Sequence, residues 1–227
     1  MKGTSMKKKI MPCLAFGLML LILSGNIYAA TYNAVDEFSI TNGNPNGVWS
    51  YGEKLYNATH DSFGDFEIFQ YGINDGGWAR WHTNNLPSIG QNISAWTAEG
   101  IPSGGMNLHS YGDNAAVLRF TTPEDGIYDI IGGFLSGNTG TPKVAVTDDS
   151  GFLWKNSDSG DFSFLNHSLA SGTIIDFVVY DWTFAAATGL NLTIEKVETS
   201  SVPIPSTFML FSACMLFLPC TRIRRKK

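Results

Sequence analysis

Gly189-Leu190-Asn191-Leu192-Thr193-Ile194-Glu195 alternates apolar and polar residues without a break. A period of two marks a strand with one face in a core, so Leu190, Leu192 and Ile194 are expected inward and Asn191 and Thr193 outward. Just upstream, Thr173 to Tyr180 places Ile175, Phe177 and Val179 on one face, while Asp176 interrupts the other. A carboxylate there is expected to face a polar rim or a loop, because an unpaired buried charge is costly.

Working outward from these two segments, the same pattern recurs between turn signals. Ala115 to Phe120 and Ile127 to Phe134 flank Pro123-Glu124-Asp125-Gly126, in which proline presets φ and glycine admits a left-handed residue, so the pair reads as a hairpin or a corner. Lys143 to Thr147 and Phe152 to Trp154 flank Asp148-Asp149-Ser150-Gly151 in the same way. Several short strands at this spacing, with no helical periodicity outside the termini, predict an all-β domain built as an antiparallel sandwich. Residues 41–112 differ: they are rich in Gly, Asn and aromatic residues and read as long ordered loops of the same domain.

The chain has 227 residues, and both ends are set apart by composition. Lys7-Lys8-Lys9, the apolar run from Ile10 to Leu23 and the small residues through Ala29-Ala30 have the layout of a secretory signal peptide, with translation starting at Met1 or Met6. At the other end, Val202-Pro203-Ile204-Pro205 precedes an apolar run to Cys220 and the basic cluster Arg222-Ile223-Arg224-Arg225-Lys226-Lys227. A stiff proline pair, an apolar segment shorter than the roughly 20 residues of a comfortable span and terminal positive charges describe a transient anchor whose basic end stays in the cytoplasm.

Residues Val202 to Lys227 resemble the PEP-CTERM sorting signal of exported Gram-negative bacterial proteins, carried by Val202, Pro203, Pro205, Arg222, Arg224 and Arg225, with Ile204 where that pattern usually has Glu. The resemblance implies an exosortase-type membrane enzyme as a partner, transient inner-membrane anchoring, and a final place on the cell surface or in a biofilm matrix. The expected organisation is a signal peptide over residues 1–30 with a signal helix, a β-sandwich over 31–198, and a spacer, sorting motif, transmembrane helix and basic tail over 199–227.

Between the ends lie Lys54, Arg80, Arg119, Lys143, Lys155 and Lys196 against all twenty Asp and Glu residues, a net charge of 6 − 20 = −14. Such a domain disfavours nucleic acid and anionic lipid as partners. Cys13, Cys214 and Cys220 all fall in the terminal runs, so the domain has no disulfide, no thiol nucleophile and no thiolate metal site. The four histidines lie far apart, without zinc-type pairing.

The segments Leu108 to Tyr128 and Ser171 to Val179, with the opening Asn44-Pro45-Asn46-Gly47-Val48-Trp49-Ser50-Tyr51-Gly52, resemble exported bacterial jelly rolls of the carbohydrate-binding-module type. The resemblance implies a jelly-roll-like sandwich and binding of extracellular polysaccharide. Independently of it, Trp78, Trp81 and Trp96 are candidate ligand-binding residues, since the C–H face of a sugar ring stacks on an aromatic ring. Gly76-Gly77 and Asn84-Asn85 suggest that Trp78 and Trp81 sit in loops. The bland alternative is that these rings are packed in a core, which would suit a structural matrix protein without a ligand.

No catalytic residue is assigned. No Gly-x-Ser-x-Gly elbow, phosphate loop or His-Glu-x-x-His run is present, and scattered carboxylates give no rule for choosing the acid and base of a glycoside hydrolase. No cofactor is expected, structural calcium excepted. Asn156 to Asp161 departs from a calcium loop, with Gly160 one place early and His167 where a bidentate Glu is needed.

Overall fold

The computed structural model describes residues 29–137, 141–180 and 182–198, with the side chains of 182–187 excepted. The signal peptide and signal helix lie outside the described residues, apart from Ala29 and Ala30. So do the sorting motif, its transmembrane helix and basic tail, and all three cysteines. Among the described residues there is no helix, and the chain forms fourteen strands. The first six are β1 (Thr31–Asn33), β2 (Trp49–Asn57), β3 (Ser62–Ile68), β4 (Tyr71–Asp75), β5 (Trp78–His82) and β6 (Ser88–Asn92). The others are β7 (Met106–Gly112), β8 (Asn114–Thr121), β9 (Gly126–Leu135), β10 (Lys143–Asp148), β11 (Gly151–Ser157), β12 (Gly160–Leu169), β13 (Ile174–Tyr180) and β14 (Trp182–Val197).

Strands β7 to β14 pair as one long hairpin rolled up on itself: β10 with β11, β9 with β12, β8 with β13 and β7 with β14, all antiparallel. Two further pairings, β9 with β14 and β10 with β13, close this ribbon into two sheets. That is a jelly roll. Sheet I runs β12-β9-β14-β7 and sheet II runs β11-β10-β13-β8, joined where Tyr111 meets Asn114 at the β7–β8 turn. Pro123 to Gly126 is therefore a corner between sheets, and Asp148 to Gly151 is a hairpin.

The stretch read first lies at the centre of sheet I, where Leu190, Leu192 and Ile194 of β14 are buried. Ile175, Phe177 and Val179 of β13 face them from sheet II. The two inner faces interlock through aromatic rings, with Phe162 of β12 stacked on Phe177 at 5.7 Å and Tyr128 of β9 edge-on to Phe120 of β8 at 6.4 Å. Burial of this face accounts for the stability of a domain without disulfides.

Residues 41–112, expected as long loops, instead lengthen both sheets. Strands β2 and β3 extend sheet II beyond β8, and β6, β5 and β4 extend sheet I beyond β7. The glycines and asparagines that suggested loops form the tight turns between these short strands. Gly76, Gly77 and Asn85 adopt φ of 57°, 90° and 74°, a region that suits glycine and is tolerated by asparagine.

Sheet II is strongly curled, and its outer face is concave. Strands β3 and β11 are its two edges, five strand intervals apart, which in a flat sheet is roughly 24 Å. Yet Phe63 of β3 lies 5.7 Å from Phe152 of β11, ring to ring. Small residues permit the curl: Ala115, Val117, Ala145 and Val178 line this face and are buried beneath Tyr56, Phe63, Phe66, Phe152 and Tyr180. A satellite core thus forms outside the sandwich. Asp176 belongs to it, not to a polar rim: it is buried and paired with Arg119 and Lys54.

Candidate functional site

The three tryptophans singled out in the sequence have separate fates. Trp81, on β5, is 6% exposed and belongs to the main core. Its ring stacks on Tyr51 of β2 at 6.3 Å, and its Nε1–H donates to the Ser39 carbonyl at 2.8 Å. Trp78, at the start of the same strand, is 9% exposed. The expectation that these two rings sit in loops is corrected: Gly76-Gly77 and Asn84-Asn85 bracket a five-residue strand, and both rings are largely withdrawn from solvent. Next to Trp81, the His82 Nδ1 accepts the Asn85 N–H at 3.0 Å. Burial, then the neighbouring Arg80, hold the His82 pKa below its usual value, so the ring is neutral at pH 7.

Trp96 is the opposite case, with 66% of its surface exposed. The loop that carries it, between β6 and β7, is held by one buried side chain. The Asn92 amide donates to the carbonyls of Trp96 at 2.8 Å and Ile101 at 2.9 Å, and its oxygen accepts from the Ser94 N–H and hydroxyl. The Ser94 hydroxyl is also within reach of the Trp96 carbonyl, and Ser103 donates to the Ser94 carbonyl. Backbone bonds finish the frame: Ile93 to Gly77, Ala98 to Ile101 and Gly104 to Asn92. Trp78 pairs with Asn92 across β5 and β6, so it lies at the end of sheet I from which the Trp96 loop leaves. There the Trp78 ring is buried and the Trp96 ring is displayed.

A second place was not foreseen. Where sheet II curls, a cleft of about 380 Å³ is lined by Tyr56, Asp61, Lys143, Lys155, Asn156 and Tyr180, among others. Asp61, in a turn with φ of 47°, accepts the Tyr56 hydroxyl at 3.0 Å and the Lys155 ammonium at 2.8 Å. The Lys155 bond, then that of Tyr56, keep the Asp61 pKa below its usual value. The Lys155 ammonium also lies 4.6 Å from the centre of the Phe152 ring and that of Lys143 5.9 Å from the Tyr56 ring. Asp61 and Lys155 are 94 residues apart, so no local motif could have announced them. The cleft and the Trp96 loop sit at opposite ends of β7, whose seven residues span roughly 20 Å.

Glu53 and Glu67 face each other across β2 and β3, and burial, then Glu67, raise the Glu53 pKa. Neither carboxylate lines the cleft. Among the described residues no group of three His, Cys, Asp or Glu side chains could hold a metal ion. Asn156 to Asp161 spans the end of β11, the turn at Asp158-Ser159 and the start of β12, with the Asn156 amide donating to the Ser159 carbonyl at 2.8 Å and the Ser136 hydroxyl to Asp158 at 2.9 Å.

No protein-family model matches the chain, and no curated protein matches it. Among solved structures it is similar to the CBM36-1 domain of a multidomain xylanase from the hindgut metagenome of Trinervitermes trinervoides, at 12% identity and a TM-score of 0.32, over 66% of this chain and 98% of that one. A family 35 carbohydrate binding module from Clostridium thermocellum matches at 8% identity and a TM-score of 0.29, over 74% and 98%. The catalytic domain of a GH87 alpha-1,3-glucanase in complex with nigerose matches at 12% and 0.30, over 70% and 30%. Likenesses at this level carry no inference about ligand or activity.

Proposed function

We propose that this chain is an exported surface or matrix protein that binds extracellular polysaccharide without catalysis, using Trp96 as its stacking platform. The observation that carries the reading is a tryptophan two-thirds exposed on a loop whose backbone is already fixed by Asn92. An exposed ring on a mobile loop would lose entropy on binding. Here hydrogen bonds hold the loop backbone before any ligand arrives, which lowers that cost as in other rigid aromatic platforms. A sugar face offers C–H groups to the ring, with polar loop groups left for its hydroxyls.

The test is affinity electrophoresis of the full-length protein in gels containing the producer's own exopolysaccharide. Trp96→Ala should weaken retention by roughly tenfold, the aromatic contribution of about 1.5 kcal/mol, and leave the melting temperature unchanged. A structural matrix protein without a ligand predicts no retention for either form, and that result would remove this reading.

Export is the other half of the proposal and rests on the resemblance of Val202 to Lys227 to a sorting signal. Intact mass of the protein recovered from the cell surface should match a chain that has lost the leader and the segment from Arg222 to Lys227. A surface product that still carries those basic residues would contradict processing by an exosortase.

A further inference from the structure

We infer that the outer face of sheet I carries a second contact for the glycan proposed to stack on Trp96, a glycine-floored slot between Asp161 and Asn191 that takes an uncharged sugar residue. It rests on the reading of Trp96 for the class of ligand, a polysaccharide, and adds to it a place and a chemistry. The slot is built by strand register. Asp161 of β12, Gly133 of β9 and Asn191 of β14 stand opposite one another in one row across three strands. Their neighbours Phe162, Phe134 and Leu192 are buried on the inner face, so the row looks outward. The next row supplies Ser163 and Ile131, and Leu135 of β9 closes the other side. Together these residues line a depression of about 460 Å³, within the range of small-ligand sites.

The slot exists because Gly133 has no side chain. Glycine inside a strand weakens it and often marks a place of close approach by a ligand or another group. Gly132 is accounted for by the core, where a Cβ would press within 2.7 Å of the Phe162 ring. Gly133 faces outward, has no left-handed φ and lies in no turn. A Cβ there would run into the Asp161 carboxylate, which leans over it.

The groups in the slot select an uncharged sugar. Asp161, Ser163 and Asn191 are exposed, and among the described residues no hydrogen bond or ion pair engages any of the three side chains. A carboxylate accepts two neighbouring hydroxyls, and an amide both donates and accepts. Ile131 and Leu135, both exposed, offer aliphatic walls to the C–H groups of the ring. Among the described residues no Lys or Arg lines the slot, so a uronate or a sulfated sugar would bring its charge against Asp161 without a counter-ion, in a domain that is already strongly acidic. A calcium ion would need about six to eight oxygen ligands, more than one carboxylate and its two neighbours supply. The slot also adjoins the Trp96 loop. Ile101 of that loop and Leu135 both lie over Gly189, where a Cβ would meet Ile101 Cδ1 and Leu135 Cβ at 3.0 Å each. The loop leaves β6, three strand intervals or roughly 14 Å from β9, so one glycan of several residues reaches both places by passing over Ile101 and Leu135.

The experiment is affinity electrophoresis of the full-length protein in native gels with detergent, using the producer's exopolysaccharide separated by anion exchange into neutral and acidic fractions. The neutral fraction should retain the protein and the acidic fraction should not. Asp161→Ala should weaken retention roughly tenfold, the loss of a hydrogen bond to a charged group. Gly133→Ala should do the same by filling the slot and displacing the carboxylate, and both variants should melt close to the unaltered protein. Should Gly133→Ala fail to fold, Asp161→Asn, which keeps the shape and removes the charge, decides together with Asp161→Ala. Undiminished retention of folded slot variants, or stronger retention by the acidic fraction, would overturn the proposal. A sedimentation coefficient that falls in Asp161→Ala without any glycan would assign this face to a second copy of the chain and overturn it as well. Weaker retention in Trp96→Ala alone removes the slot and leaves the Trp96 reading standing, whereas weaker retention in the slot variants alone upholds the slot and removes the Trp96 reading. No retention of the unaltered protein by either fraction removes both.

Discussion

Trp81→Ala should lower the unfolding free energy by about 3–5 kcal/mol, whereas Trp96→Ala should change it by less than about 0.5 kcal/mol. The two residues look alike in the sequence, and their surroundings decide the difference. Trp81 fills space between β5 and β2, its ring parallel to and offset from that of Tyr51, at an interplanar angle of 8°. Alanine would leave a cavity there that Gly72, which lies against the ring so closely that a Cβ would come within 3.2 Å of it, has no side chain to fill. It would also leave the Ser39 carbonyl without its indole donor, an added penalty of about 1–3 kcal/mol if no water replaces it. Urea unfolding followed by tryptophan fluorescence reads both variants. Equal midpoints would show that Trp81 is not a core residue, and Trp81→Phe should recover most of the packing but not the hydrogen bond.

This pair also shows what a sequence can reveal. The strand faces of β13 and β14 were legible because each has a full run of alternation, so Phe177 and Leu192 could be placed from neighbours alone. Trp78 and Trp81 were not, because β5 is only five residues long and its bounding turns, Gly76-Gly77 and Asn84-Asn85, have the composition of a loop. A short strand between two tight turns and a single open loop share one composition. What separates them is pairing with β4 and β6, which is a long-range fact. The cleft was less accessible still. Its chemistry requires Asp61 and Lys155 to meet across a curled sheet, and the curl comes from alanines and valines whose small size becomes informative only once they are known to share a face.

Asp176→Ala is expected to cost about 3–5 kcal/mol, as much as a large core deletion, even though it removes only a carboxylate. Asp176 is the common partner of two cations: Arg119 binds it through Nε and a terminal nitrogen at 2.8 and 2.9 Å, and Lys54 approaches at 2.8 Å. The three side chains stand on three adjacent strands, Lys54 on β2, Arg119 on β8 and Asp176 on β13. The carboxylate side chain is only 3% exposed and the cations 16% and 17%, so solvent cannot replace it. Arg119 also lies 3.9 Å above the Phe66 ring of β3, which draws the hairpin inward and carries the curl to the sheet edge. Removing the carboxylate strands two partly buried cations side by side, and their repulsion adds to the lost attraction. The decisive comparison is with the triple variant Lys54→Met, Arg119→Met, Asp176→Leu. If the cost of Asp176→Ala comes from uncompensated charge, the triple variant should regain most of the lost stability, because an ion cluster replaced as a whole by apolar groups of similar size is close to neutral. If the cluster instead supplied net stabilisation, the triple variant would be the least stable of the set, and a urea midpoint below that of Asp176→Ala would refute this account of how the three strands are held in register.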